Sequence, residues 1–252
     1  TVKNNIKGDF GQSILYKKSV AEIILSRLPW TLYIMLTTLL TSLFLGIALA
    51  LICIKKSRLD GYIYRAMSLV CEMPSFLIGV LFLFLIAAKV PWIPLAGNLT
   101  PFRRYTSSLE FAGDVLLHSF LPILALVVVT TPVFYFTSRS SFKTIMNKEY
   151  ILNANAKGLS EKTIKYKYIL LNAILPIVAR FFLNVGNCIG ATLLIENVFA
   201  YPGLGKILRD AVMYRDFILI QGIFLLSTTL VLVASFISDT INYYLQQRLA
   251  ND

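Results

Sequence analysis

The chain has 252 residues, 57% hydrophobic and 15% charged, with a formal net charge of +11. Soluble domains average about 45–50% apolar residues and about a quarter charged, so this composition excludes an ordinary soluble enzyme. The positive charge would suit nucleic acid, but it lies in clusters between long uncharged stretches, as basic loops do in a membrane protein.

Residues 1–28 are polar with scattered apolar positions, so no signal peptide is expected within them; they are expected to form an extracytoplasmic segment ahead of a transmembrane domain over 29–245. Residues 28–54, 115–138 and 217–238 contain no charged residue. About 20 apolar residues in a helix cross a hydrocarbon core ~30 Å thick, so each is long enough to span. Two further stretches are interrupted, 66–88 by Glu72 and 168–195 by Arg180, and an ionisable residue inside a bundle does not exclude a span. The reading is an all-α, polytopic helical bundle with about five spans, near 29–54, 66–88, 115–138, 169–195 and 217–238.

The basic residues orient it. Lys55, Lys56, Arg58 and Arg65 follow the first span, and the 139–167 loop after the third holds seven Lys and Arg. With those loops cytoplasmic, residues 89–114 and 196–216 lie outside and the C-terminus inside. The 139–167 loop lacks the punctuation of a slack linker. Phe142, Ile145, Met146, Tyr150, Ile151 and Ala154 recur at helical spacing, Gly158 is a helix stop, and Ser160 with Glu161 and Thr163 can start the next helix. The paired helices fit either a surface element lying on anionic lipid or a docking element for a cytoplasmic partner.

Outside, Tyr201-Pro202-Gly203-Leu204-Gly205 is a turn sequence, and Ile207, Leu208, Ala211 and Val212 are expected on one side of a short helix. Thr130, Thr131, Asn184 and Asn187 are polar groups within spans, which line a path or bond to a neighbouring helix. Gly186 and Gly190 form a GxxxG, a weak signal for close helix packing. Cys53, Cys71 and Cys188 show no metal or disulfide spacing. His118 is the one histidine, and no acid is expected to sit suitably with it for catalysis. No GxxxxGK[ST] phosphate loop is present.

Several segments, in order, resemble the permease subunit of bacterial ATP-binding-cassette (ABC) importers, in the dipeptide, oligopeptide and nickel branch. They are Gly8-Asp9-Phe10-Gly11-Gln12-Ser13, Arg27-Leu28-Pro29-Trp30-Thr31-Leu32, Met73-Pro74-Ser75-Phe76, Trp92-Ile93-Pro94 and Leu121-Pro122. Glu149-Tyr150-Ile151, Ala156-Lys157-Gly158-Leu159-Ser160, Asn172-Ala173-Ile174-Leu175-Pro176, Pro202-Gly203-Leu204-Gly205 and Arg215-Asp216-Phe217 continue the series. Departures are Leu152, Asn153 and Ala154 where the wider importer loop has an acid, Arg180 at a neutral position, and Gln246-Gln247-Arg248 at the family's Asp-Pro-Arg ending. The family's first span and outer domain do not precede Gly8, so that helix is expected to be missing.

The resemblance implies a type I importer permease in the bacterial cytoplasmic (inner) membrane, multi-pass, forming half of a path for peptides, nickel or a metal–chelator complex. Its partners would be two cytoplasmic ATPase subunits, a second and different permease chain, an extracytoplasmic solute-binding protein and membrane lipid, with no nucleic acid. It would bind no cofactor itself, ATP and Mg being held by the ATPase subunits, and it would have no catalytic or metal residues. Asn153, Ala154, Asn155, Ala156, Lys157, Gly158, Leu159 and Ser160 would couple to the ATPase. Glu196, Tyr201, Pro202, Gly203, Leu204 and Gly205 would gate the outer mouth or meet the binding protein. A stand-alone secondary transporter or channel is the alternative, and would more often show internal repeats or a mid-membrane carboxylate.

Overall fold

The computed structural model describes residues 10–54 and 57–251. Gly8, Asp9, Lys55 and Lys56, and the side chains of Gln246 and Arg248, lie outside the described residues. Helices run α1 Val20–Cys53, α2 Ser57–Cys71, α3 Ser75–Ala87, α4 Ser108–Met146, α5 Glu149–Ala156, α6 Glu161–Leu183, α7 Val185–Val198, α8 Leu204–Met213 and α9 Phe217–Asn251. Among the described residues no strand forms beyond one isolated bridge, between Gln12 and Ser19. α1, α4, α6 and α9 are each long and apolar enough to cross a bilayer.

α4 and α9 run beyond the expected 115–138 and 217–238, and three further differences from the sequence expectation each have a local reason. α1 begins at Val20, nine residues before position 29, because Val20, Ile23 and Ile24 repeat at helical spacing and bury together. The stretch 66–88 is broken: α2 stops at Cys71, α3 restarts at Ser75, and the two are bent by 97°. Pro74 lies at the break with φ −62° and ψ 134°, having no N–H to donate and disfavouring helix in the residue before it. The stretch 169–195 is also broken, at Asn184, leaving α7 with 14 residues. Such a helix is about 21 Å long and falls short of a ~30 Å core, so the long apolar helix here is α6, which starts at Glu161. Within α6 a π-helical stretch, Ile164–Leu170, places Ile164 and Ile169, five residues apart, on one buried side.

The chain divides into two compact units. The first comprises residues up to 38, 74–126 and 186–230. Its core packs Val20, Ile23 and Ile24 of α1 against Leu204, Ile207 and Ala211 of α8 and Leu219 and Ile223 of α9. Asp216, just before α9, fastens the N-terminal segment: it accepts from the Ser13 hydroxyl at 2.5 Å and the Leu15 N–H at 3.1 Å. It also accepts the Leu219 N–H at 3.2 Å. The second unit comprises 39–73, 127–185 and 231 onward. Its core joins Ala50, Leu51 and Cys53 of α1, Tyr135 and Phe142 of α4, Ile151 and Ala154 of α5, and Ile164, Ile169, Ala173 and Ile177 of α6. Gly46 lets α1 lie directly on the α4 backbone at Phe134 and Tyr135, where a Cβ would collide.

Candidate functional site

The 139–167 segment is built from the backbone outward. α4 ends at Met146, and Lys148, with extended φ and ψ, opens α5. α5 closes on a Schellman cap: the Leu159 N–H donates to the Ala154 carbonyl at 3.3 Å and the Gly158 N–H to the Asn155 carbonyl at 3.0 Å. That cap needs a left-handed residue, and Gly158 supplies it with φ +71°. Ser160 then caps α6, its hydroxyl accepting from the Thr163 N–H at 3.3 Å. The glycine turn and the second helix follow the sequence pattern, but the helix expected from Phe142 through Ala154 is broken at the extended Lys148, and Phe142, Ile145 and Met146 belong to α4.

Two residues, Ile151 and Ala154, anchor α5 in the core of their unit. Leu152, 65% exposed, points outward together with Asn153, Asn155, Ala156, Lys157 and Gly158, while Leu159 is half-buried and Ser160 exposed. α5 is thus held by one face, and Leu152 lies on the other among small and polar residues.

Asp60 of α2, 8% exposed, fixes the helix that leads into this hairpin. Its carboxylate accepts from Arg139 Nε at 2.5 Å and Nη2 at 2.6 Å, a bidentate pair, and from Lys143 Nζ at 2.9 Å and Tyr135 OH at 3.1 Å. α2 is therefore pinned to the last turns of α4, one short turn from α5. The sequence reading passed over Asp60; a lone acid in a basic segment, with Arg139 and Lys143 spaced i, i+4, was the available signal.

The 196–216 segment is organised inward. Glu196, Tyr201, Gly203, Leu204 and Gly205 are buried, Glu196 and Tyr201 fully, and Pro202 is half-buried. The Glu196 carboxylate accepts the Gly205 N–H at 2.5 Å, and Thr31 Oγ1 accepts the Leu204 N–H at 2.8 Å. A Cβ at Gly203 would strike the Glu196 carboxylate and one at Gly205 the Leu193 backbone, so both glycines answer to packing. Burial pushes the Tyr201 hydroxyl pKa well above the usual tyrosine range. The buried side of α8 is Leu204, Ile207 and Ala211, with Leu208 packed alongside, whereas Val212 is 57% exposed. The expected apolar stripe was therefore one residue off at its end.

The remaining sequence candidates separate. Thr130, Thr131 and Asn184 are buried and Asn187 is exposed. Thr131 donates to the Val127 carbonyl at 2.7 Å, so its hydroxyl is satisfied within α4. A Cβ at Gly190 would meet nothing within 4 Å. His118 has one acid near it, Asp114 a turn before, with Nδ1 2.9 Å from the Asp114 carbonyl and 3.7 Å from Oδ2. That carboxylate already accepts the Thr100 N–H (2.6 Å), the Thr100 hydroxyl (2.7 Å) and the Tyr105 hydroxyl (2.7 Å). Its work is to tie down the loop before α4. Among the described residues no group of three His, Cys, Asp or Glu is placed to hold a metal ion.

Comparison with known proteins agrees with this architecture. The family described as binding-protein-dependent transport system inner membrane component matches residues 42–251. The oligopeptide transport system permease protein AppB of Bacillus subtilis is 30% identical over 249 residues, covering 98% of this chain and 77% of that protein. The glutathione transport system permease protein GsiC of Escherichia coli K12 is 28% identical over 242 residues, covering 95% and 74%. An inward-facing structure of the MetNI methionine ABC transporter superposes with a TM-score of 0.68 over 88% of this chain and 96% of that one. At 15% identity, that likeness speaks to fold alone.

Proposed function

We propose, because this chain belongs to the family of binding-protein-dependent transport system inner membrane components, that its α5 hairpin seats a cytoplasmic ATPase and that its solute is a peptide. The chain is a multi-pass permease subunit of an ATP-driven ABC importer, a transport subunit with the type I fold. Nothing in the family or the fold supports a stand-alone carrier or channel.

One observation carries the coupling assignment: α5 is gripped by Ile151 and Ala154 and offers the rest of its surface, from Leu152 to the Gly158 turn, outward. In the working importer two ATPase subunits, holding ATP and Mg, would close and push on such hairpins, one from this chain and one from a second permease. Through the Asp60 clamp that push would reach α2 and α4 together and turn the bundle between inward-open and outward-open forms. The seven basic residues of 139–167 support a cytoplasmic placement for the hairpin and, with it, for the C-terminus.

On the outer side, the buried Glu196 to Gly205 turn reads as the rigid frame of the gate. Contact with a solute-binding protein would fall to the exposed Val212, Met213 and Tyr214 beside it. Thr130, Asn184 and Asn187 remain candidates for the path. A peptide solute is favoured over nickel or a metal–chelator complex because the relatives AppB and GsiC are named for oligopeptide and glutathione transport.

The test is recovery of the cognate ATPase on the tagged, detergent-solubilised permease. The wild-type chain is expected to retain it. Gly158→Pro forbids φ +71° and removes the N–H donated to Asn155, and Leu152→Asp changes the outward surface alone. Both are expected to weaken recovery roughly ten-fold or more. Absence of ATPase from the wild type, or full recovery with both variants, contradicts the assignment.

A further inference from the structure

Beside the hairpin lies a cleft with a cavity volume of about 310 Å³, and nothing in the coupling role uses it. Its floor is apolar: Leu51 and Ile52 come from the last turn of α1, and Ile164 and Ile169 from the π-helical part of α6. Its rim is cationic, with Lys162 and Lys165, and one acid, Glu161, stands at the start of α6. Lys162 is exposed and Lys165 half-buried, so both ammonium groups are within reach of a ligand from outside.

The position of the cleft selects its occupant. α1 and α6 are each long and apolar enough to cross a membrane, so a cleft between their ends on the basic loop lies where hydrocarbon gives way to headgroups. Tyr166, an exposed aromatic with a polar tip, also lines it, and such residues favour that depth. The surrounding 139–167 segment carries seven basic residues against two acidic, a net +5. An apolar floor below a cationic rim matches an acyl chain below an anionic headgroup. We infer that this cleft binds an anionic phospholipid of the surrounding leaflet, with the acyl chain on Leu51, Ile52, Ile164 and Ile169 and the phosphate at Lys162 and Lys165. The site is distinct from the outward face of α5 and requires no ATPase. A lipid held there bridges α1 and α6 and stiffens the base from which α5 projects.

The experiment reconstitutes the full chain in phosphatidylcholine vesicles doped with either photoactivatable phosphatidylglycerol or photoactivatable phosphatidylcholine. Crosslinked peptides are then mapped by mass spectrometry. The anionic probe is expected to label residues 51–54 and 161–169 in excess over the neutral probe. Lys162→Gln and Lys165→Gln should each cut that excess roughly five-fold, and labelling of 217–238 should not change. Ile52→Trp, filling the floor from a half-exposed position, should lower labelling by both probes. Equal labelling by the two probes, or an excess that survives the paired lysine variants, overturns the proposal. So does suppression by millimolar inorganic phosphate, which identifies a free-phosphate site, or full protection by added ATPase, which assigns the cleft to the protein partner.

Discussion

The 149–160 hairpin and the 196–216 turn both close a helix with the same Schellman cap, yet they put their residues to opposite uses. In the hairpin the left-handed position is glycine, Gly158, and a Cβ there would meet nothing within 4 Å. In the turn the left-handed positions are Ala200 (φ 46°) and Arg215 (φ 57°), with 6→1 bonds from the Tyr201 N–H to the Glu196 carbonyl and from the Asp216 N–H to the Ala211 carbonyl, each 2.8 Å. The turn tolerates this backbone strain because Tyr201, Leu204, Ile207 and Asp216 are buried around it. The hairpin has two anchors and leaves the rest outside. Residues that look equally like family signatures therefore have different causes: internal packing in the turn, an outward surface in the hairpin.

Substitutions can break that contrast. The largest effect is expected from Gly205→Ala, whose Cβ would overlap the Leu193 backbone; a loss of about 3 kcal/mol or more should appear in thermal melts of the purified chain. Gly158→Ala, with space but the wrong φ, should cost only about 1–2 kcal/mol. Equal losses at the two glycines would erase the distinction between packing and backbone causes.

Asp60→Asn tests whether the hairpin's support is electrostatic. It leaves Arg139 and Lys143 without their carboxylate, and because Lys143 is half in solvent the expected loss is about 2 kcal/mol, below that of a fully buried pair. Asp60→Glu should recover part of the loss, read as the same melt alongside binding-protein-stimulated ATP hydrolysis.

Asp216 sharpens the contrast from the turn side. Burial raises its carboxyl pKa, but the Ser13 hydroxyl and the Leu15 and Leu219 amides outweigh burial and hold it below the usual carboxylate range. A depressed folded pKa gives stability that is fully present above the unfolded pKa and lost as pH falls through the folded one. Asp216→Asn should thus lower the melting temperature at neutral pH, with the gap to wild type narrowing on acidification below about pH 4. A gap independent of pH would assign the effect to shape rather than charge. The smallest effect is expected from Ala200→Gly, which relieves the left-handed strain and should stabilise by about 0.5–1 kcal/mol in the same melts.

Features set by neighbouring residues were legible in the sequence. The Gly158 stop, the Ser160 start and the long apolar helices follow from backbone chemistry and composition. The 97° break at Pro74 was obscured because apolar residues run on past it, so hydropathy over 66–88 averages across the bend. Asn184 hid its break for the same reason. Asp60 escaped because its partners lie some eighty positions away on another helix, and side-chain pairing across helices leaves no local pattern. In the 196–205 motif the residue types were legible, but their inward direction was not, since burial depends on Thr31 and Leu193 packing beside them.

Amide hydrogen exchange on the reconstituted permease, with and without an ATPase subunit, distinguishes an outward-facing hairpin from an inward-packed turn. Exchange should slow across 149–160 when the ATPase binds and stay unchanged across 196–213. Protection confined to the outer turn, or no protection anywhere with the ATPase stoichiometrically bound, would contradict the coupling assignment.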